Sequence, residues 1–222
     1  MKLIAIATDF DATLATDGRV LPKTMAALAE AQAGGRTLIL ITGRELQSLQ
    51  DVFPALDIFD LVVAENGALL YQPATNRERL LCKSPPNGLV TELRRRGVKP
   101  LSAGRCIVAT TVPHDATVEK TIRDLKLRWD IIMNRESIMV LPHGIDKGTG
   151  FAAALADLGL TGKAAMGIGD AENDHAFLKM CGLSVAVANA IPELKKEVQL
   201  VTKGEQGAGV VEAIKHLLAI DP

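Results

Sequence analysis

Near its start the chain reads Ile4-Ala5-Ile6-Ala7-Thr8-Asp9-Phe10-Asp11-Ala12-Thr13-Leu14. The apolar first half of this segment predicts a short strand that is buried on both faces of a sheet. The segment then presents two carboxylates, Asp9 and Asp11, which share one face if the chain stays extended. Because open α/β sheets bind ligands at the carboxyl ends of their strands, both acids are candidate functional residues. The structural alternative is that Asp9 starts a turn and Asp11 caps a helix.

Strands and helices alternate through most of the chain. The first part predicts a helix from Pro22 to Gly34-Gly35, a strand over 37–41, a helix over 45–52 and a strand over 61–63. The alternation resumes after residue 145, with helices over 148–158 and 209–218 and strands over 163–168 and 184–187. This order predicts an α/β fold, with a doubly wound, Rossmann-like parallel sheet that has helices on both faces.

The middle of the chain has a different pattern. After a boundary at Pro85-Pro86, two helix-like segments are mixed with β-rich segments over 105–111, 129–133 and 137–141, the last two joined across Asn134-Arg135-Glu136. We therefore predict an inserted α+β domain at 83–144. The α/β core would consist of residues 1–82 and 145–222.

Composition limits the classes of function. The 222 residues carry a formal net charge of −1, which argues against a general affinity for nucleic acid or anionic lipid. No apolar run approaches the ~20 residues of a membrane span, and we expect a cytoplasmic protein. The three cysteines, Cys82, Cys106 and Cys181, form no CxxC pair and are interpreted as small buried hydrophobic residues.

Polar residues stand where the predicted strands end. They are Asp9, Asp11, Thr42, Gly43, Arg44, Asn66, Asp170, Asn173 and Asp174, with Lys147 just before a helix. In a parallel sheet all of them converge on one edge. Two unit charges ~4 Å apart repel by about 4 kcal/mol at an effective dielectric of roughly 20, so four clustered carboxylates require protons or a cation. Oxygen ligands without clustered histidine or cysteine favour a hard ion, Mg²⁺ before Ca²⁺.

A magnesium ion beside Lys147 and Thr42 would form a site for a phosphoryl group, whose transfer mainly needs positioning and charge neutralisation. The motifs that carry these residues resemble those of the haloacid dehalogenase superfamily of phosphatases. Its DxDxT motif is matched by residues 9–13, its strand-ending Thr by Thr42, its lysine by Lys147 and its GDxxND motif by residues 169–174. Ala12 departs from the glycine common in the family, a change that adds one methyl group and leaves both acids in place.

The resemblance covers the whole chain and extends to subfamily IIB, the Cof-like or sugar-phosphate phosphatase type with a C2 cap between the second and third motifs, in which Asn66-Gly67 is typical. It implies a Mg²⁺-dependent phosphoric monoester hydrolase in which Asp9 is the nucleophile and Asp11 the general acid and base. The implied metal ligands are Asp9, Asp11 through its backbone carbonyl, Asp170 and, in a supporting position, Asp174. The implied phosphate-binding residues are Thr42, Gly43, Lys147 and Asn173, with Arg44 either contacting substrate or holding its loop.

The expected substrate is a small phosphorylated metabolite, a sugar phosphate or a phosphoglycolate-like compound, handled by a monomer or homodimer without nucleic acid or membrane. Two other functions stay open: a phosphomutase of the same superfamily, and a non-catalytic, receiver-like phospho-acceptor. A receiver accepts its phosphoryl group at a later strand and has neither the insertion nor the final Gly-Asp-x-x-Asn-Asp. A dinucleotide-binding protein is disfavoured because no GxGxxG follows the first strand.

Overall fold

The structure is a computed structural model that describes residues 2–221. Its strands are β1 (Ala5–Asp9), β2 (Thr37–Ile41), β3 (Leu61–Ala64), β4 (Leu69–Gln72), β5 (Arg77–Leu80), β6 (Ser102–Ala103), β7 (Val108–Thr111), β8 (Trp129–Asn134), β9 (Ser137–Pro142), β10 (Ala165–Gly169), β11 (Leu183–Ala186) and β12 (Leu200–Val201). Its α-helices are α1 (Pro22–Ala33), α2 (Leu46–Val52), α3 (Asn87–Arg95), α4 (Asp115–Asp124), α5 (Lys147–Leu158), α6 (His175–Leu178), α7 (Pro192–Glu197) and α8 (Gln206–Ile220).

One large sheet has the strand order β12-β11-β10-β1-β2-β3-β4-β5. Neighbouring strands are parallel from β12 to β3, and the hairpin β4–β5 adds two antiparallel strands at one edge. β1 lies between β10 and β2, and all five of its residues are buried. Its continuous apolar run follows from this position, since both faces of a central parallel strand are covered. The predicted doubly wound sheet is confirmed.

Helices cover both faces of the large sheet. On one face, α1, α2 and α8 contribute to an apolar cluster that includes Leu28, Leu49 and Ile214. On the other face, α5 and α6 contribute Phe151 and Phe177, whose rings meet edge to face. Among residues 2–221, no helix combines the length and the apolar character needed to cross a bilayer.

The chain between β5 and α5 forms a second sheet. It is antiparallel, with the order β6-β7-β9-β8, and packs against α3 and α4 around its own apolar cluster. A further cluster that includes Ala68, Ile107 and Met139 joins this inserted unit, called the cap below, to the large sheet. The inserted α+β architecture agrees with the sequence, while the domain bounds at 83 and 144 remain a prediction.

Two predicted elements begin three residues away from their positions in the structure. The strand expected from residue 105 begins only at Val108, because the backbone N–H groups of residues 105–107 donate to the Glu65 carboxylate instead of to a strand. The last helix begins at Gln206 rather than at residue 209. Its early glycines weaken the helical pattern, but a Cβ at Gly207 would lie only 2.5 Å from Thr24 Oγ1, so close packing requires the glycine there.

Candidate active site

The polar residues predicted from the strand ends meet at the carboxyl edge of the large sheet. β1 ends at Asp9, and β10 leads into Asp170. A cavity of about 730 Å³ lies between this edge and the cap. It is lined by Asp9, Asp11, Ala12, Gly43, Arg44, Ala109, Asn134, Arg135, Glu136, Ser137, Met139 and Asp170.

Lys147 links two of the buried carboxylates. Its Nζ donates to Asp9 Oδ1 and to Asp174 Oδ1, each at 2.6 Å, and its side chain is only 1% exposed. Burial alone would lower the pKa of Lys147, but the carboxylates of Asp174 and Asp9 outweigh it and raise that pKa. Burial raises the pKa of Asp9 well above its ordinary value, against the opposing effect of Lys147. The Lys147 ammonium therefore stays charged between Asp9 and Asp174, and its two hydrogen bonds fix the positions of both carboxylates.

The position of Lys147 depends on how α5 begins. Asp146 caps the helix: its carboxylate accepts the Thr149 N–H at 2.8 Å, and Thr149 Oγ1 accepts the Asp146 N–H in return. Gly67, after β3, lies against this turn with a φ of +106°, and a Cβ there would be 1.8 Å from the Asp146 carbonyl oxygen. The close approach of these two segments brings Lys147 over the end of β1.

Three buried carboxylates form an acidic cluster. Asp9, Asp170 and Asp174 each offer an oxygen within 4.8 Å of the others. Asp174 Oδ2 accepts the backbone N–H groups of Asp170 and Ala171, which orients its carboxylate. Burial, followed by the charge of Asp174, raises the pKa of Asp170. Because these donors are all oxygen, close together and destabilised by burial as bare anions, they fit a hard divalent cation.

Asp11 lies at the cavity wall, and its carboxylate is not one of the three that form this cluster. Its carboxylate accepts hydrogen bonds from two nitrogens of Arg44, with shortest distances of 2.8 Å from Nε and 2.7 Å from Nη2. This bidentate pair raises the pKa of Arg44. Arg44 also lies over the Phe10 ring, 5.5 Å from its centroid. Of the two roles that the sequence left open for Arg44, holding its neighbours in place is the one visible in these contacts.

The residues expected to bind phosphate, apart from Lys147, stand in the segments that follow β2 and β10. Thr42 is fully buried, and its Oγ1 accepts the Arg44 N–H at 3.1 Å. Asn173 Nδ2 donates to Asn66 Oδ1 at 2.9 Å. Asn66 Nδ2 and Asn173 Oδ1 are buried and have no hydrogen-bond partner within residues 2–221. Gly43 lies directly beneath the cap, since a Cβ there would be 3.0 Å from Met139 Sδ.

Two residues at the site were not assigned a role from the sequence. Thr13 Oγ1 donates to Asp170 Oδ1 at 2.8 Å, which explains a threonine four residues after Asp9. Arg135 reaches the same carboxylate from the cap, with Nη2 at 2.6 Å from Asp170 Oδ2. Thr13 could have been found from its place in the first motif, whereas Arg135 stands in a turn that carries no comparable signal.

The chain was compared with known proteins. The family model of haloacid dehalogenase-like hydrolases matches residues 6–93 and 102–214. Two relatives are each 29% identical: phosphoglycolate phosphatase 2 of Saccharolobus solfataricus, over 97% of this chain and 93% of that protein, and the phosphoglycolate phosphatase of Methanothermobacter thermautotrophicus, over 96% and 98%. The structure of a sugar phosphatase of haloacid dehalogenase subclass IIB superposes with a TM-score of 0.78 at 17% identity, covering 97% of this chain and 98% of that one.

Proposed function

The chain belongs to the haloacid dehalogenase-like hydrolase family and is a phosphatase, and from this premise we propose that it hydrolyses a phosphomonoester of a small metabolite through an aspartyl-phosphate on Asp9. The observation that carries the proposal is the pair of 2.6 Å contacts from Lys147 Nζ to Asp9 and Asp174. They hold the Asp9 carboxylate at the end of β1, on the wall of the cavity. A carboxylate fixed in this way is ready for attack on phosphorus, because catalysis of phosphoryl transfer depends mainly on positioning.

The first step forms a bond between an Asp9 oxygen and phosphorus and breaks the bond from phosphorus to the ester oxygen. Asp11, also on the cavity wall, protonates the departing oxygen. In the second step the Asp11 carboxylate takes a proton from water, and the water oxygen displaces Asp9 from phosphorus. Inorganic phosphate leaves and both acids return to their starting forms. After Asp11 has given up its proton, the bidentate contact with Arg44 orients its carboxylate.

The acidic cluster supports a requirement for Mg²⁺. Asp9, Asp170 and the backbone carbonyl of Asp11 would hold the ion, and Asp174 would support its waters. When bound, the ion supplies positive charge that offsets the charge developing on the phosphoryl oxygens. Lys147 contributes a further fixed positive charge on the same side.

The remaining polar groups fit the phosphoryl oxygens. We assign this role to the hydroxyl of Thr42, the backbone of Gly43, the ammonium of Lys147 and the amide of Asn173. The unpartnered Nδ2 of Asn66, buried beside Asn173, is an additional donor. A buried donor without a partner is costly, and an anion would satisfy it.

The cavity supports a small substrate. Its volume of about 730 Å³ suits a metabolite rather than a macromolecule. Met139 of the cap reaches to the backbone of Gly43, which leaves little room for a bulky group above the phosphate-binding residues. The names of the two 29%-identical relatives make 2-phosphoglycolate the first candidate, with sugar phosphates next.

The test is phosphate release from a panel of phosphorylated metabolites and one aryl phosphate, with Mg²⁺ and with chelator. Asp9→Asn is compared with the wild type and with a matched control, Asp57→Asn, because Asp57 is exposed and lies outside the cavity. We expect Mg²⁺-dependent release that falls about 1000-fold or more in Asp9→Asn and is unchanged in Asp57→Asn. Equal release by Asp9→Asn would exclude Asp9 as the nucleophile, and transfer of phosphate to a second sugar instead of water would indicate a mutase.

A further inference from the structure

The cap contributes one positively charged side chain to the cavity. The cap residues that line the cavity are Ala109, Asn134, Arg135, Glu136, Ser137 and Met139. Arg44, on the core side of the same cavity, already makes a bidentate ion pair with Asp11. Within this described lining, Arg135 is therefore the cation that a second anionic group on the substrate would meet.

Arg135 occupies the tip of the β8–β9 hairpin and reaches the floor of the site. Its backbone has a φ of +52°, and its N–H donates to Glu172 Oε2 at 3.2 Å. Its Nη2 donates to Asp170 Oδ2 at 2.6 Å and to the Asn189 carbonyl oxygen at 3.4 Å. These contacts hold the hairpin tip against the loop that carries the acidic cluster.

The side chain of Arg135 is much more exposed to solvent than that of its ion-pair partner, Asp170. The Arg135 side chain is 49% exposed, whereas the Asp170 side chain is 2% exposed. All side-chain hydrogen bonds of Arg135 run from Nη2, so among the described residues Nε and Nη1 have no acceptor. Nε and Nη1 lie on different edges of the guanidinium, and each keeps an N–H group that can donate to an oxygen of a substrate carboxylate.

The strength of the Arg135–Asp170 contact depends on whether Asp170 also binds a metal ion. Asp170 belongs to the cluster that we assign to Mg²⁺. A divalent cation beside Asp170 offsets its negative charge and repels the guanidinium, so the Arg135–Asp170 contact weakens. An anionic group on the substrate then becomes the stronger partner for Arg135.

We infer that Arg135 determines specificity by binding a carboxylate on the substrate, a few bonds from the phosphate ester oxygen. The short spacing follows from the geometry, because Nη2 touches Asp170, and an oxygen of Asp170 lies within 4.8 Å of one of Asp9. The inference rests on the proposed function, narrows its candidate substrates to phosphate esters that carry a carboxylate, and names the residue that selects them.

The test compares two esters of the same size that differ only in charge, 2-phosphoglycolate and its carboxamide. The proteins are wild type, Arg135→Gln, Arg135→Lys and a control, Arg123→Gln, whose side chain is 70% exposed on α4 and does not line the cavity. In Arg135→Gln we expect kcat/KM to fall about 30-fold or more for the carboxylate ester and less than about 3-fold for the carboxamide. Arg135→Lys should lie in between, and Arg123→Gln should match wild type.

An equal loss on both esters, or no loss on either, would overturn the inference. The inference is also overturned if wild type hydrolyses an aryl phosphate but does not prefer 2-phosphoglycolate to its carboxamide. The proposed function would then still hold. Wild type that releases phosphate from no ester would overturn the proposed function and this inference with it.

A second measurement does not depend on turnover. Titration calorimetry of Mg²⁺ into substrate-free protein should give about 3- to 10-fold tighter binding to Arg135→Gln than to wild type or Arg123→Gln, because a competing cation has been removed from Asp170. If Mg²⁺ binds Arg135→Gln with unchanged or weaker affinity, Arg135 does not compete with the metal for Asp170, and the inference is overturned.

Discussion

Ala12 lies between the two aspartates of the first motif with a φ of +58°. An L-residue with a Cβ pays roughly 1–2 kcal/mol in this left-handed region, which explains why glycine is common at this position. Glycine also loses more backbone entropy on folding, so we expect Ala12→Gly to stabilise the protein by about 0.5–1 kcal/mol net. For a chain of this length, that corresponds to a rise in Tm of roughly 1–4 °C, measured by calorimetry.

The matched control for this substitution is Ala26→Gly, an exposed position inside α1. There glycine should destabilise by about 1 kcal/mol, because helical φ gives it no advantage over alanine. A fall in Tm for both variants would mean that the backbone at Ala12 carries no strain.

At the scale of residues, a contact could be predicted where the architecture of the sheet itself brings the two residues together. Asp9, Thr42, Lys147 and Asp170 follow from strand ends and motif spacing, because a parallel sheet forces its carboxyl ends together. The ion pair of Arg135 with Asp170 could not be predicted in this way. It joins a turn of the cap to a loop of the core, and nothing in the adjacent residues specifies how far a turn reaches.

At the scale of elements, α5 is placed by a contact that only glycine permits. Because a Cβ at Gly67 would lie 1.8 Å from the Asp146 carbonyl oxygen, Gly67→Ala must displace the start of α5. We expect a loss of about 3 kcal/mol or more in the free energy of unfolding, measured by urea denaturation. Movement of Lys147 by about 1 Å away from Asp9 should lower kcat/KM by roughly 100-fold.

Gly159 provides the control at the other end of the same helix. It also has a positive φ, +66°, but a Cβ there would have no atom of the described part of the chain within 4 Å. Gly159→Ala should therefore cost only about 1 kcal/mol from backbone strain and leave kcat/KM unchanged. If both variants lose activity equally, strain rather than the displacement of Lys147 is the cause.

Elements of the core were easier to predict than those of the cap. The predicted strand over 37–41 and the helix from Pro22 agree with β2 and α1, because buried parallel strands and helix ends carry strong local patterns. In the cap, the two-residue strand β6 was not predicted, and β7 is shorter than expected. Short strands at the edge of a small sheet depend on tertiary pairing, which a single sequence does not display.

At the scale of the whole molecule, one buried side chain ties the cap to the core. Glu65 follows β3 and is 1% exposed. Its Oε1 accepts the Arg105 N–H at 3.0 Å, and its Oε2 accepts the N–H groups of Cys106 at 2.7 Å and Ile107 at 3.0 Å. Its own backbone N–H donates to the Arg44 carbonyl oxygen. Through its backbone and its carboxylate together, Glu65 thus connects the segment that carries Arg44 to the entry of the cap sheet.

Replacement of Glu65 by glutamine should loosen this connection. The amide has one acceptor oxygen, so its NH₂ group faces a backbone N–H of the cap that has lost its partner, at a cost of about 2 kcal/mol. We expect the amides of residues 105–107 to exchange roughly 30-fold faster in hydrogen-exchange measurements, while those of β1 and β10 are unchanged.

We also expect kcat/KM of Glu65→Gln to fall, because Met139 and Arg135 of the cap are then positioned less accurately over the core residues. Glu119→Gln, exposed on α4, is the control and should change neither quantity. Faster exchange throughout the large sheet would instead mean that Glu65 stabilises the core as a whole and does not specifically hold the cap.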